Sequence, residues 1–317
     1  MDADLVLEGG GVKGIGLVAA IAALEQEGYT FHRVGGTSAG AIVGALVAAG
    51  MPVSRLQTIM REVDYCKFRD ATRLDRLGPP GKALSLLTAR GIYKGDYVRD
   101  WVADRLAELN VRTFADLAID DPHSSLPPEK AFRLVVHTSD VTKGELVRLP
   151  WDYARYGLDP ATQSVADAVR ASMSIPFFYR PATIGAAKLR STCVDGGMLS
   201  NFPIDVFDRT DGKAPRWPTF GIKLSAKPEA NRDVKPVRGV LGLGLAMIAT
   251  MMNFHDQMHL DDPSVLARTM FVDTMGIKAT DFDIDSTKQD ALAANGEEAA
   301  RAFLKGWDFT KYVQEFR

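Results

Sequence analysis

Two short glycine-containing segments near the amino terminus constrain the fold of this 317-residue chain more than any other feature. Residues 9–14 (GGGVKG) follow a short apolar strand at residues 5–7, and residues 36–40 (GTSAG) follow a second predicted strand. A helix is predicted after each segment, at residues 14–27 and 39–49, from the spacing of apolar residues. This alternation is typical of a parallel sheet with helices on its faces, so we predict a three-layer α/β/α fold with a mainly parallel central sheet.

The rest of the chain continues the same alternation. No internal repeat and no shift in composition marks a second domain, so we predict one domain over residues 1–317. Its motif-bearing core covers about residues 4–225, and residues 226–317 complete or cover that core. Periodicity predicts helices at 52–65, 96–109, 164–173, 237–259 and 286–304, and strands at 132–138, 145–149, 188–194, 220–224 and 269–272. From residue 66 to residue 95 the pattern breaks down, with the prolines of residues 78–81 (GPPG) at its centre, so an irregular insertion is predicted there.

Composition excludes several classes of protein. A formal net charge of -2 gives no indication of a nucleic-acid partner. Cys66 and Cys193 are too few for a disulfide framework. The acidic start at residues 1–4 does not resemble a secretory signal, and the longest apolar run, residues 240–252, is too short and glycine-broken to span a bilayer. We therefore predict a cytoplasmic protein.

The glycine-rich loop by itself allows two functions. Gly9, Gly11 and Gly14 also satisfy the G-x-G-x-x-G pattern of dinucleotide-binding folds. That fold requires an acidic residue after the next strand, about 20 residues on, to hold a ribose hydroxyl. The chain has residues 34–38 (VGGTS) there, with no carboxylate. Acyl transfer is therefore favoured, in which the loop amides bind an oxyanion, and a nucleotide- or lipid-binding module remains the non-catalytic alternative.

Ser38 is the candidate nucleophile. It is the serine of a G-x-S-x-G turn, where a tight strand-to-helix connection exposes the hydroxyl. The small neighbours Gly36, Ala39 and Gly40 permit such a turn, and the following helix N-terminus supplies backbone donors for developing negative charge. An isolated motif of this kind can also be only a helix N-cap.

A serine nucleophile needs a base, and the residues leave two candidates. The chain order of an α/β-hydrolase allows Ser38, Asp195 and then His255 or His259, but that fold places several strands before its elbow. The two late histidines share one helix face, and no third ligand suggests a metal site with them. Alternatively, Asp195 itself is the base, followed by Gly196 and Gly197, which allow a sharp turn beside the carboxylate.

Four ordered segments resemble the patatin-like phospholipase family. They are residues 9–14 (GGGVKG), 36–40 (GTSAG), 171–178 (ASMSIPFF) and 195–197 (DGG), and residues 201–203 (NFP) also fit the pattern of that family. The resemblance covers about residues 4–225. It departs from the family at Glu8, where aspartate is frequent, and at Lys13, where arginine is common.

The resemblance implies a lipid acyl hydrolase with a Ser–Asp dyad, no catalytic histidine, and no metal or cofactor. It implies that Ser38 is the nucleophile and Asp195 the general base. The remaining site residues that it implies are the oxyanion hole Gly9, Gly10, Gly11 and Ala39, and the supporting residues Lys13, Gly14, Gly36, Gly40, Gly196 and Gly197.

The expected substrate is a membrane or micellar lipid ester, cleaved by an activity of the phospholipase A or lysophospholipase type. The basic stretch at residues 67–94 can rest on anionic lipid head groups or be a solvated loop. The apolar residues at 243–252 can line an acyl groove or form a core helix. The sequence gives no prediction of the oligomeric state.

Overall fold

The computed structural model describes residues 1–72, 78–124, 126–224 and 262–317, together with residues 237, 239, 242–244, 246–248, 250 and 251. Ten strands lie in this part of the chain. They are β1 (Asp2–Leu7), β2 (Thr30–Thr37), β3 (Gly91–Tyr93), β4 (Leu134–Asp140), β5 (Glu145–Leu149), β6 (Phe177–Tyr179), β7 (Ala182–Ile184), β8 (Ser191–Asp195), β9 (Thr219–Lys223) and β10 (Thr269–Phe271).

The helices of the described residues lie between and after these strands. They are α1 (Gly14–Gln26), α2 (Ala39–Ala48), α3 (Val53–Glu62), α4 (Pro79–Ala89), α5 (Asp96–Ala107), α6 (Val165–Ser172), α7 (Pro263–Leu266), α8 (Ser286–Leu304) and α9 (Phe309–Phe316). Residues 242–244, 246–248, 250 and 251 are also helical, and the other residues of the helix predicted at 237–259 are not described, apart from 237 and 239.

The central sheet has the order β10-β9-β1-β2-β4-β8-β7, and β5 pairs with the opposite edge of β4 from β2 and β8. Strands β10, β9, β1, β2 and β4 run parallel, whereas β5, β7 and β8 add antiparallel pairings at one side. Helices cover this sheet, and the predicted three-layer α/β/α class with a mainly parallel sheet is confirmed. Strand β4 is buried along its whole length and β1 is buried after Asp2, as expected for strands of a sheet that is covered on both faces.

The insertion predicted as irregular at residues 66–95 is more regular than expected. It contains α4 and β3, and β3 forms a small parallel sheet with β6. Two prolines that suggested a break instead occupy the first turn of α4, where a missing N–H costs no hydrogen bond. Residues 73–77 of this insertion lie outside the described residues.

Residues after position 262 contribute directly to the core. Strand β10 extends the central sheet beside β9. Helix α8 packs against α1 so closely that a Cβ atom at Gly296 would lie 2.2 Å from the carbonyl oxygen of Gly16. A side chain at Gly296 would therefore force these two helices apart.

The sheet brings the sequence motifs to one region. Parallel strands β1 and β2 end at the glycine loop and at Ser38, on the same edge of the sheet. Strand β4 lies beside β2, with His137 opposite Thr37, and β8 lies beside β4, with Asp195 opposite Thr138. The ends of β2 and β8 therefore meet along β4, at the neighbouring positions His137 and Thr138.

Candidate active site

Ser38 occupies a strained turn between β2 and α2. Its φ of 52° and ψ of -121° lie in a region that side chains rarely adopt, so the surrounding structure must hold it there. A Cβ atom at Gly36 would lie 2.4 Å from the carbonyl oxygen of Gly40, and one at Gly40 would lie 2.3 Å from that of Leu7. The predicted supporting glycines Gly36 and Gly40 therefore permit the close approach of the turn to β1.

A hydrogen bond from outside the motif anchors this turn. The backbone N–H of Ser38 donates to Ser172 Oγ at 2.8 Å, and that hydroxyl donates to the carbonyl oxygen of His137 at 2.6 Å. Ser172 is the last residue of α6, and His137 lies in β4. The sequence motif at 171–178 included Ser172, but nothing in the sequence assigned it this role.

Asp195 ends β8 with a buried carboxyl group. Its Oδ1 accepts a hydrogen bond from the Gly197 N–H at 2.8 Å, and its backbone N–H donates to the carbonyl oxygen of Ser174 at 2.9 Å. Burial raises the pKa of this carboxyl to about 6, while the hydrogen bond from Gly197 and the effect of the Ser38 hydroxyl act to lower it. Within ordinary hydrogen-bond distance, Oδ2 has no partner among the described residues, so one carboxylate oxygen is available for chemistry.

The glycines after Asp195 allow its turn to approach the sheet. A Cβ atom at Gly196 would lie 2.2 Å from the carbonyl oxygen of His137, and Ser139 Oγ donates to the Gly196 carbonyl at 3.3 Å. Gly197 contributes the amide that holds the carboxylate. The Asp-Gly-Gly turn is thus packed against the same strand that anchors Ser172.

The loop after β1 has both occupied and available amides. The N–H of Gly9 donates to the carbonyl oxygen of Asn201 at 3.2 Å, whereas the amides of Gly10, Gly11 and Ala39 have no acceptor in the described part of the chain. Gly9 was predicted to be an oxyanion donor, but its N–H already donates to Asn201 and is not available for that role. The absence of a side chain at Gly9 instead leaves room for Ser38 and Asn201. A Cβ atom at Gly9 would lie 3.0 Å from Ser38 Cβ and 2.3 Å from Asn201 Oδ1.

A distant segment completes the glycine loop. Gly11 has a positive φ of 57°, and a Cβ atom on it would lie 1.8 Å from the carbonyl oxygen of Ala279. The same carbonyl accepts the N–H of Val12 at 3.2 Å. No sequence pattern identified Ala279, because it carries no motif and lies far along the chain.

Buried charges support the loop from behind. Glu8 forms an ion pair with Lys223 and accepts hydrogen bonds from the Leu224 N–H and from Asn201 Nδ2. Asn201 Nδ2 also donates to the Gly9 carbonyl at 3.2 Å, and Lys13 Nζ donates to the Leu224 carbonyl at 3.1 Å. Burial lowers the pKa of Lys13. Glu8 and Lys13, the two departures from the family pattern, therefore fit their surroundings. A Cβ atom at Gly14 would lie 3.6 Å from Ala39 Cβ, which is an ordinary contact distance.

No histidine of the described residues forms a hydrogen bond with Ser38 or Asp195. His137 lies in β4, opposite Thr37, yet neither of its ring nitrogens has a hydrogen-bond partner among the described residues, and burial lowers its pKa to about 4. His255 and His259, the candidates for a histidine-dependent esterase, lie outside the described residues.

An apolar cavity begins at the glycine loop. The space between its walls, including the part open to solvent, is about 380 Å³, and Gly11 and Ala39 form part of the wall. Aromatic and long apolar side chains form much of the rest: Met60, Tyr65, Phe68, Trp101, Met173 and Phe282. These residues come from distant parts of the chain, and sequence patterns did not identify them as a group.

The described residues contain neither a cluster of metal-binding side chains nor a helix able to span a membrane. Among the residues with described positions, no group of three or more histidine, cysteine, aspartate or glutamate side chains is placed to hold a metal ion. In the same residues, no helix combines the length and the apolarity that crossing a membrane requires.

Comparisons with known proteins agree with this geometry. The family model described as patatin-like phospholipase matches residues 5–208. An uncharacterized protein of Bacillus subtilis, YqhO, is 38% identical over 96% of this chain and 99% of its own length. Human patatin-like phospholipase domain-containing protein 6 is 43% identical over 206 residues, which are 64% of this chain but only 12% of that protein.

A crystal structure has the same fold. VipD from Legionella pneumophila superposes with a TM-score of 0.52 at 18% sequence identity, over 96% of this chain and 66% of that chain. At this level of identity the likeness supports the fold and carries no information about substrate.

Proposed function

Because the chain belongs to the patatin-like phospholipase family, whose members are lipid acyl hydrolases, we propose that it cleaves acyl esters of lipids through a Ser38–Asp195 dyad. The observation that carries the proposal is that β2 and β8 bring the Ser38 turn and Asp195 to neighbouring positions along β4. The turn holds Ser38 in a strained conformation, the Asp195 carboxyl is buried, and the Ser38 hydroxyl acts to lower the pKa of that carboxyl.

The first half of the reaction acylates Ser38. Its Oγ attacks the ester carbonyl carbon while the Asp195 carboxylate takes the hydroxyl proton. Collapse of the tetrahedral intermediate breaks the ester bond, and the leaving alcohol or lysolipid takes the proton from Asp195. A carboxyl pKa raised by burial suits this exchange, because a stronger base accepts the serine proton more readily.

The amides of Gly10, Gly11 and Ala39 are the proposed oxyanion donors. They have no acceptor in the described residues, and Ala39 begins α2, where the helix dipole also favours negative charge. In the second half of the reaction, water gives its proton to Asp195 and attacks the acyl-enzyme. Collapse returns that proton to Ser38 Oγ and releases the carboxylic acid.

The apolar cavity supports a lipid as the substrate. Since it begins at Gly11 and Ala39, an ester carbonyl bound at those amides would direct its acyl chain into apolar surroundings. We infer that Met60 and Trp101 contact the chain, and that the alcohol portion of a phospholipid or lysophospholipid stays outside. This proposal requires no metal or cofactor.

We propose that the segment at residues 67–94 contacts the lipid surface. Leu87 of α4 is 82% exposed and Leu84 is also exposed, beside the exposed cations Lys82, Arg90 and Lys94. Apolar side chains that enter the interface and cations near anionic head groups both favour peripheral binding, each charge by about 1 kcal/mol. A cytoplasmic protein that binds membranes peripherally would fit this surface.

The dyad is tested by hydrolysis of p-nitrophenyl esters and lysophospholipids and by fluorophosphonate labelling. Ser38→Ala should abolish both turnover and labelling, and Asp195→Asn should abolish turnover. A combined His255→Ala and His259→Ala variant should keep most of the activity. The reverse pattern would select a histidine-dependent esterase, and full activity of Ser38→Ala would exclude this serine as nucleophile.

Vesicle sedimentation tests the lipid contact separately. Leu87→Asp should reduce binding to vesicles that contain phosphatidylglycerol and leave hydrolysis of a water-soluble ester unchanged. Leu266→Asp, at an exposed leucine of α7, is the matched control. Equal binding by the two variants would contradict contact through α4.

A further inference from the structure

A second cavity lies at the amino ends of the parallel strands, away from Ser38 and the glycine loop. The space between its walls, including the part open to solvent, is about 600 Å³. Asp4 of β1, Arg33 of β2, Thr219 of β9 and Arg268 just before β10 form part of its wall. Since β1 and β2 end at the proposed catalytic site, this cavity is at the opposite edge of the sheet.

The side chains around this cavity carry an excess of positive charge. Asp4 is paired with Arg33, and Asp121 is paired with Arg216. Asp208 pairs with both Arg268 and Arg317. Arg209 is paired with Asp211, whereas Lys213 forms no ion pair within the described residues. Asp205 and Asp262, which are not part of the wall, also interact electrostatically with Arg268. In the wall itself, six cationic side chains face three carboxylates.

Two deeply buried donors in the same cavity lack partners. Arg268 is 3% exposed and its Nε has no hydrogen-bond partner among the described residues, although its two terminal nitrogens bind Asp208. Tyr312 is 5% exposed, and its hydroxyl is likewise without a partner there. A buried polar group without a hydrogen-bond partner lowers the free energy of unfolding by about 1–3 kcal/mol. Two such groups beside one cavity therefore indicate that a ligand binds there.

We propose that this cavity binds a small phosphate-bearing anion, inorganic phosphate or a phosphomonoester. The excess of cationic side chains in the wall favours an anion, and the unpartnered Arg268 N–H and Tyr312 O–H match its acceptor oxygens. The Trp217 ring is already stacked on His32, with centroids 4.5 Å apart, and is covered by Arg216. Recognition therefore rests on the anion and requires no aromatic ring on the ligand.

Calorimetric titration tests this site in the Ser38→Ala protein, so that the result is independent of catalysis. Sodium phosphate and glycerol 3-phosphate should bind saturably at one site, while sodium chloride at equal ionic strength should not. Tyr312→Phe should weaken phosphate binding about tenfold, because it removes one hydrogen bond to a charged group. Its hydroxyl has no protein partner in the described residues, so this variant should remain folded.

Lys213→Gln should weaken binding as well, whereas Lys305→Gln, at an exposed lysine away from the cavity, should not. Binding to vesicles that contain phosphatidic acid is measured in a separate experiment. Binding to these vesicles without binding to either soluble phosphate would overturn the proposal, as would affinities that neither Tyr312→Phe nor Lys213→Gln changes.

Discussion

The backbone N–H of Ser38 donates a hydrogen bond to Ser172 Oγ at 2.8 Å, across 134 positions of sequence. Ser172 in turn donates to the His137 carbonyl, so α6 and β4 together hold the strained turn after β2. The conformation of the proposed nucleophile therefore depends on a side chain outside its own motif.

Ser172→Ala should reduce kcat more than it changes KM. Without the hydroxyl, the buried Ser38 N–H loses its acceptor and the turn can relax, and small misplacements of a reacting group can cost about 10²-fold in rate. The free energy of unfolding should fall by about 1–3 kcal/mol. Ester hydrolysis and urea unfolding measure the two effects.

Thr269→Val is the control for a lost buried hydroxyl. Thr269 Oγ1 donates to the Val265 carbonyl at 2.6 Å, far from Ser38. This variant should lose stability but keep kcat. An equal loss of kcat in both variants would show that the Ser172 effect is only general destabilisation.

The pH dependence of kcat/KM should report Asp195. Because the base must be ionised to accept a proton and its pKa is raised to about 6, activity should rise with pH through about 6 and then level off. A water-soluble ester avoids effects of pH on a lipid surface. An acid limb centred near pH 4 would contradict a buried base.

Asp195→Asn should stabilise the fold while it removes activity. The carboxyl pKa is about 6 when folded, against 3.8 as the ordinary value, so ionisation costs folding free energy as pH rises through that window. The free energy of unfolding of the variant should exceed that of the unmodified protein only slightly at pH 4. The difference should grow to about 1–3 kcal/mol as pH rises and stay constant above pH 7. Thermal unfolding across pH measures it, and an advantage largest at low pH would reverse the assigned sign.

Gly9→Ala should inactivate the enzyme by steric crowding. The added methyl group would lie 2.3 Å from Asn201 Oδ1 and 3.0 Å from Ser38 Cβ, so the loop or the nucleophile must shift. Gly306→Ala is the matched control, because its nearest atom would be 4.0 Å away. Fluorophosphonate labelling rates should differ strongly between the two, and similar rates would show that the loop tolerates a side chain.

Lys223→Met should strongly destabilise the fold. It removes the Lys223 cation from its buried ion pair with Glu8, and removal of one partner of a buried ion pair typically costs about 3–5 kcal/mol. Lys288→Met breaks an exposed pair with Asp285 and should change stability little. Urea unfolding of both variants decides whether the buried pair supports the loop.

The sequence predicted the local elements of the site well. Strand β1, the glycine loop, the Ser38 turn and α2 follow from short-range patterns, because apolar spacing and glycine content act over a few residues. The helix at 79–89 was missed because its prolines were interpreted as breaks, whereas they occupy a first turn. Which oxyanion amides were available could not be predicted, since that depends on Asn201 accepting from Gly9.

The sequence by itself determined the fold class and the family, because several ordered motifs share one spacing over residues 5–208. Only the tertiary structure decided which distant groups act on those motifs. Ser172, Ala279 and the Glu8–Lys223 pair reach the site through strand order and helix packing. The pKa of Asp195 follows from burial, which no local pattern encodes.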